Sequence, residues 1–390
     1  MNEKPLKKHF KLLKPLKPIK PKKNILFLTL KVFSATGGIE KVCKVIGKAI
    51  YSFSIEEKAT IRVLSMYDQQ EDADDNRYFT SDIFKGFGKS RVKFIVEAIW
   101  MGRKKNKIVL SHINLLLVGR MIKLINPSAK IILIAHGIEV WGKLSWIQQR
   151  MLTSIDTFVS VSQFTSMKLQ ENHQIDPLKC KVINNCLDPF IPNISSVVNE
   201  GNIRMKYGFT NDQKVMLTLT RISSKERYKG YDRVIEAMVN LIPRHPQLRY
   251  LLAGKYDSQE KQYLDQLIAH HGLKDFVVVP GFVSEEELDA HFSLADLYVM
   301  PSIKEGFGIV FIEAMHYGLP VIAGNMDGSV DALINGALGT LVNPLDTNEI
   351  EIAIDNILID KNKYLPNEEL LMESFGYDEY KRKLGILLSC

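Results

Sequence analysis

Two carboxylates eight positions apart bracket the segment Glu305-Gly-Phe-Gly-Ile-Val-Phe-Ile-Glu313, and a glycine-flanked turn follows the first directly. A carboxylate can accept hydrogen bonds from a sugar diol, and the free N–H groups of a helix start attract phosphate or sugar oxygens. Ahead of the segment, Leu294–Met300 reads as a short buried strand ending at Pro301-Ser302. Behind it, Ile309–His316 reads as a helix that Gly318-Leu-Pro320 stops. The order is therefore strand, carboxylate, glycine turn, helix, carboxylate, with Glu313 about one turn into the helix. Spacing alone also fits a loop charge at 305 and a solvated helix glutamate at 313.

Three other clusters carry groups suited to an anionic ligand. Ala35-Thr-Gly37-Gly38-Ile-Glu40-Lys41 follows the first apolar strand, Asn24–Leu30. Ala135-His136-Gly137 follows the strand Lys130–Ile134, and Arg221 precedes Tyr228-Lys229-Gly230-Tyr-Asp232. Each has a plain reading: turn glycines, a structural buried histidine, and surface cations beside Lys225 and Arg227.

In this order the four clusters resemble the retaining glycosyltransferases of family 4, with their Glu-x7-Glu motif and two-domain GT-B fold. The resemblance covers most of residues 24–345. It implies an α/β chain of two Rossmann-like, doubly wound domains whose parallel sheets face a central cleft. It also implies transfer of a hexose, with retention, from GDP-mannose or a UDP-hexose to a lipid-linked or cell-surface glycan. Glu305 would hydrogen-bond the transferred sugar, helped by backbone N–H groups at Phe307, Gly308, Ile309 and Val310, and Glu313 would bind the ribose hydroxyls. Arg221 and Lys229 would stabilise the leaving diphosphate, since positive charge aimed at developing negative charge is often the largest catalytic contribution. The backbone at Gly37 and Gly38 would approach that diphosphate from the other domain, so catalysis should need cleft closure. His136 would contact a sugar hydroxyl, and Phe282, in Gly281-Phe282-Val283, sits where the family holds the base. No cofactor and no metal are implied, the nucleotide sugar being a substrate. No nucleophile is positioned as in a retaining glycosidase; the family's account is same-face transfer assisted by the leaving phosphate. Two departures stand out: Thr220 replaces a usual glycine before Arg221, and Asp327-Gly328-Ser329 replaces the common Gly-Gly-x-Pro-Glu.

Charge divides the 390 residues unevenly. Residues 1–23 carry nine Lys and one Glu, residues 24–190 carry 23 basic and 15 acidic residues, and residues 191–390 carry 19 and 28. The first half should therefore face something anionic. The Lys- and Pro-rich tail, with four prolines, cannot hold a stable helix. It reads either as a tether to anionic lipid or as a solubilising leader. A signal peptide fits poorly, because Ile25–Leu30 is only six residues long and Lys31 interrupts it. No stretch reaches the roughly 18 apolar residues of a membrane span. The four cysteines, Cys43, Cys180, Cys186 and Cys390, lack zinc or CxxC spacing, which suits a reduced cytoplasm and leaves the sequon at Asn193 accidental.

Short apolar runs alternate with helical patterns: Ile25–Leu30, Thr60–Ser65, Ile108–Ser111, Lys130–Ile134 and Thr157–Val161, then Val215–Leu219, Tyr250–Ala253, Val277–Val279, Leu297–Met300 and Pro320–Ile322. Such alternation predicts βαβ units and parallel sheets. The division expected is a tail (1–23), an acceptor-binding domain (24–190), a linker (191–205), a nucleotide-sugar domain (206–366) and a terminal helical segment (367–390) packing back on the first domain.

Residues 89–107 form a basic amphipathic segment. Val92, Ile95, Val96, Ile99 and Trp100 share one stripe among Lys89, Arg91, Lys93, Arg103, Lys104, Lys105 and Lys107. It fits either an interfacial helix on an anionic membrane or a core-facing helix with a solvated basic side. The expected location is cytoplasmic, peripheral on the inner membrane face. The run Glu71-Asp-Ala-Asp-Asp75 resembles metal-holding Asp-x-Asp strings but sits in a polar loop with no buried strand leading in.

Other functions fit less well. Gly86-Phe-Gly88 and Gly306-Phe-Gly308 lack the third glycine of a dinucleotide fingerprint, and no phosphate-loop motif occurs. Nucleic acid is not expected, since no binding motif accompanies the basic half. A nucleotide-sugar epimerase or hydrolase on the same scaffold, or a non-catalytic basic membrane- or nucleic-acid-binding protein, remain the alternatives.

Overall fold

The computed structural model describes residues 23–192 and 200–389. The tail up to residue 22, part of the expected linker, the sequon at Asn193 and Cys390 lie outside these.

The first half builds β1 (Asn24–Thr29), α1 (Gly38–Glu56), β2 (Thr60–Ser65), β3 (Phe84–Gly86), α2 (Arg91–Gly102), β4 (Lys107–Leu110), α3 (Leu116–Ile125), β5 (Lys130–Ala135), α4 (Ile138–Trp141), α5 (Trp146–Leu152), β6 (Thr157–Ser160), α6 (Gln163–His173) and β7 (Cys180–Val182). The second half builds α7 (Glu200–Tyr207), β8 (Lys214–Leu219), α8 (Tyr231–Leu241), β9 (Leu248–Ala253), α9 (Ser258–His270), β10 (Val277–Gly281), α10 (Leu288–Leu294), β11 (Leu297–Met300), α11 (Ile309–His316), β12 (Val321–Gly324), α12 (Ser329–Ala332), β13 (Thr340–Val342), α13 (Thr347–Ile359), α14 (Glu368–Phe375) and α15 (Tyr377–Ser389).

Central strands such as Asn24–Thr29 and Lys130–Ala135 are buried on both faces, which is why they read as unbroken apolar runs rather than alternating ones. They pair in parallel into a seven-stranded sheet, β3-β2-β1-β4-β5-β6-β7, and a six-stranded sheet, β10-β9-β8-β11-β12-β13. The order reverses between β1 and β4 and again between β8 and β11. Ligands of doubly wound sheets bind at such switch points, outside the carboxyl ends of the strands.

Two apolar layers sandwich the first sheet. On one side α1 and α15 pack together through residues such as Ala49, Phe53, Leu384 and Leu388. On the other, α2, α3 and α5 cover the sheet with Phe94, Ala98, Leu116, Ile122 and Leu152.

The structure differs from the sequence expectations in several places. β3, β7 and β13 went unrecognised; each is a three-residue edge strand, too short to show a pattern. Residues 200–205, read as linker, lie in α7, and Leu294, read as strand, ends α10. The terminal helical segment breaks at Gly376 into α14 and α15.

Helix α2 does not turn its whole apolar stripe inward. Phe94, Ala98 and Gly102 are its buried residues, while Val92, Val96 and Trp100 are 75%, 62% and 57% exposed. The small residues decide which face is buried: a Cβ at Gly102 would lie 2.7 Å from Ile122 Cγ1, so only a glycine lets α2 approach α3 this closely.

Candidate active site

Apart from Glu313, which lies midway along α11, the sequence-selected site residues stand on loops, turns or helix starts that follow the carboxyl ends of strands. Gly37 and Gly38 follow β1, His136 follows β5, Arg221 follows β8, Phe282 follows β10, and the Glu305 loop follows β11. All twelve line one interdomain cleft of about 810 Å³, within the roughly 300–1,000 Å³ usual for small-molecule sites.

The Glu305 loop is tied down from below. Ser302 Oγ donates to Asp327 Oδ2 at 2.7 Å, and Glu305 N–H donates to the same oxygen at 2.6 Å. Ser329 N–H donates to Asp327 Oδ1 at 2.8 Å, and Gly328 N–H to Glu305 O at 2.8 Å. Burial pushes the Asp327 carboxyl up to about 6, against the pull of hydrogen bonds from Ser329 and the Glu305 N–H. Asp327-Gly328-Ser329, the place where the sequence departs from the family pattern, is thus the clamp that shapes this loop.

Lys229 closes a short 3-10 turn before Gly230 (φ 77°), the residue that starts α8. A side chain at Gly230 would meet Pro301, so the glycine brings the lysine loop against the Glu305 loop. Lys229 Nζ pairs there with Glu305 Oε1. Burial opposes the lysine's charge, but Glu305 outweighs it and holds the pKa above the ordinary value. Arg221 is more exposed and pairs with Glu226, leaving it the looser of the two cations.

Helix α11 starts at Gly308 (φ 84°), and no side chain caps it. Its first-turn N–H groups, at Ile309 and Val310, therefore face a cleft wall without a protein cap. Phe307 sends its ring into the core, edge-on to Phe375 at 5.4 Å, so only its backbone serves the cleft. Gly318 (φ 73°) ends the helix, its N–H donating to Met315 O at 2.9 Å. Glu313, buried on α11, accepts a 2.8 Å hydrogen bond at Oε1 from Lys41 Nζ in the first turn of α1.

Gly37 caps α1 in extended conformation, and a Cβ at Gly38 would meet nothing within 4 Å. No contact of the protein itself thus calls for glycine at 38; its open side lies toward the cleft. His136 Nε2 lies 2.8 Å from Ser111 O, which makes Nε2 the protonated nitrogen. Nδ1 is then an acceptor, buried and without a partner. Asn185 Oδ1, in the same lining, is likewise unpartnered. Phe282, exposed after Gly281 (φ 92°), stands at the rim.

The two domains touch around this cleft. A Cβ at Gly137 would lie 2.7 Å from Gly306 Cα, so the backbones meet directly. Asp331 Oδ1 accepts from Gln163 N–H at 2.7 Å, capping α6 of the other domain. Lys44 and Glu285 approach to 3.6 Å.

Sequence reasoning missed Lys41, Asp327, Asp331 and Asn185. Lys41 lay inside a quoted motif but had no visible partner, because Glu313 is 272 positions away. Among the described residues no cluster of three or more His, Cys, Asp or Glu could hold a metal ion, and no helix is long and apolar enough to cross a membrane.

Residues 199–369 match the family model described as "Glycosyl transferases group 1". An uncharacterized glycosyltransferase of Methanocaldococcus jannaschii is 32% identical over 210 residues, 53% of this chain and 52% of the relative. The GDP-mannose-dependent alpha-(1-6)-phosphatidylinositol monomannoside mannosyltransferase of Mycolicibacterium smegmatis is 31% identical over 168 residues, 41% of this chain and 42% of the relative. The chain thus spans about half or less of the length of these relatives. Among solved structures, Anabaena HepE in complex with UDP and glucose superposes with a TM-score of 0.77 at 19% identity, covering 94% of this chain and 99% of that one. Sucrose-phosphate synthase from Thermosynechococcus elongatus gives 0.72 at 19% identity, covering 94% and 98%. At such identities the likeness concerns the fold. The match to the glycosyl transferases group 1 model thus falls on the second domain, while the two-domain GT-B architecture is shared across nearly the whole chain with these solved structures.

Proposed function

We propose that the protein transfers a hexose from a nucleotide-diphosphate sugar, with retention and without a metal, to a lipid-linked or growing cell-surface glycan. The observation that carries this reading is the convergence of Arg221, Lys229, Glu305 and Glu313 with the open glycine loop in a single cleft. Lys229 and Arg221 stabilise the departing diphosphate, α11 and Glu305 hold the sugar, and Glu313 takes the ribose diol. His136 offers Nδ1 to a sugar hydroxyl, with its other nitrogen fixed by Ser111 O. The relatives include a GDP-mannose-dependent enzyme and the structural neighbours a UDP complex, so both bases stay in play.

Thermal unfolding against UDP, GDP and their sugars, with EDTA present, tests the donor site. A nucleotide at 100 times its Kd stabilises by about 2.7 kcal/mol, a rise in Tm of several degrees. One base should give that rise, and Glu313→Ala should remove it. No shift with any saturating nucleotide would remove the transferase reading and leave the fold standing.

The acceptor side points to a membrane surface. Residues 86–152 carry twelve Lys and Arg against two Glu. Their helices α2, α3 and α5 share one sheet face and expose Val96, Trp100, Leu117, Leu124, Trp146 and Ile147. Arg103 lies over the Trp100 ring at 5.0 Å and Arg150 over Trp146 at 5.3 Å. Apolar side chains with two tryptophans inside a basic rim suit the headgroup boundary of an anionic bilayer; the basic segment 1–23 would add to the attraction. The protein should co-sediment with phosphatidylglycerol vesicles at low salt, less so with added salt, and less after Trp100→Ala with Trp146→Ala. Tighter binding to DNA or RNA than to such vesicles would favour the nucleic-acid alternative instead.

A further inference from the structure

We propose that Lys41 is a positioning residue of the donor site: from the first domain it orients the Glu313 carboxylate of the second, so that the ribose site is complete only when the cleft is closed. This rests on the reading that Glu313 binds the ribose diol. Lys41 Nζ occupies Glu313 Oε1 at 2.8 Å, and no hydrogen bond engages Oε2 among the described residues. One carboxylate oxygen is thus fixed across the domain boundary while the other stays free for a hydroxyl. The pair is partly buried, the Glu313 side chain being only 10% exposed, so the carboxylate is costly to leave without a cation. Burial by itself would lower the Lys41 pKa; the Glu313 charge and hydrogen bond, with Glu285 and Asp188 behind them, raise it instead, so the lysine stays charged.

The covalent arrangement gives the pair its meaning. Lys41 lies three residues after Gly38 on the first turn of α1, so glycine loop and lysine move as one body. Lys44, one turn further along, faces Glu285 in the same way. Closure therefore delivers two things together: open backbone toward the diphosphate and a cation onto the ribose carboxylate. A donor held by the second domain alone would meet a Glu313 free to adopt other rotamers.

Calorimetric binding of UDP and GDP, and of their 2′-deoxyribose forms, to variants of the full chain tests this. Lys41→Met should weaken the preferred ribonucleotide about tenfold or more, as a hydrogen bond to a charged group commonly contributes. It should also shrink the ribose-over-deoxyribose preference, and Lys41→Arg should restore most of both. In a Glu313→Gln background the further change Lys41→Met should cost less than about twofold, because the two residues act through one contact. An equal loss for ribose and deoxyribose forms, or full additivity with Glu313→Gln, would show a merely structural latch and overturn the proposal. If Glu313→Gln itself leaves ribonucleotide affinity unchanged, the ribose reading fails and takes this one with it. If Glu313→Gln weakens binding and Lys41→Met does not, only the role of Lys41 falls.

Discussion

Lys229→Ala is expected to lower kcat by about two to three orders of magnitude, the usual cost of removing a preorganised stabiliser of developing charge. The structure gives the reason for choosing this cation over Arg221. Lys229 is nearly enclosed and held at one point by Glu305, whereas Arg221 is largely exposed. A fixed charge in a dry site pays no reorganisation as the diphosphate leaves, and an exposed one is screened. On the proposed reading, donor affinity should fall less than turnover, because the ground-state phosphates would still meet Arg221 and the start of α11. Single-turnover rates and nucleotide affinity, measured separately, check this. A kcat within tenfold of wild type would mean that Lys229 serves mainly to neutralise Glu305.

Gly306→Ala is expected to cut turnover about a hundredfold and to weaken ribonucleotide binding no more than Lys41→Met does, while leaving Tm nearly unchanged. A Cβ at position 306 would run into the His136 carbonyl and lie 3.1 Å from Gly137 Cα, both in the other domain. The three atoms the methyl group would meet first all belong to the other domain, so it keeps the domains apart. A misplacement of about 1 Å can cost a factor of 100 in a reaction that depends on orientation. Gly137→Ala would be a poorer probe, because φ 143° strains any side chain there whatever the domains do. Steady-state kinetics with small-angle scattering would check the result. Activity within threefold of wild type would show that chemistry does not require this closed contact.

What could be read from the chain was set by local physics. The central strands announced themselves because burial on both faces demands unbroken apolar runs. Helix Ile309–His316 was legible end to end, since Gly308 and Gly318 mark its limits in left-handed backbone. The candidate site residues come to line one cleft because doubly wound sheets present the loops after their strands to a common crevice. Contacts between distant segments could not be read. Lys41 and Glu313, or Asp331 and the start of α6, become partners only once two domains meet. Asp327 looked like a departure from a pattern until the structure showed its carboxylate gathering Ser302, Glu305 and Ser329. The outward face of α2 was ambiguous for a related reason: the neighbour of Gly102 is Ile122, and nothing near position 102 announces it.

Helix α15 has a consequence for how the molecule is made. It follows the whole second domain in sequence, yet Tyr380, Leu384 and Leu388 are built into the apolar layer of the first, over α1. Leu384 and Leu388 are each worth about 1.5–3 kcal/mol of buried side chain, a large share of the roughly 5–15 kcal/mol that holds a domain folded. During synthesis the first domain emerges long before this cover exists, and α1 must wait with an uncovered apolar flank while some 200 residues are added. The segment that joins the two lobes late is also the one on which the early lobe depends, so a nascent chain stalled before residue 377 would leave the ribosome with a sticky, half-finished first lobe.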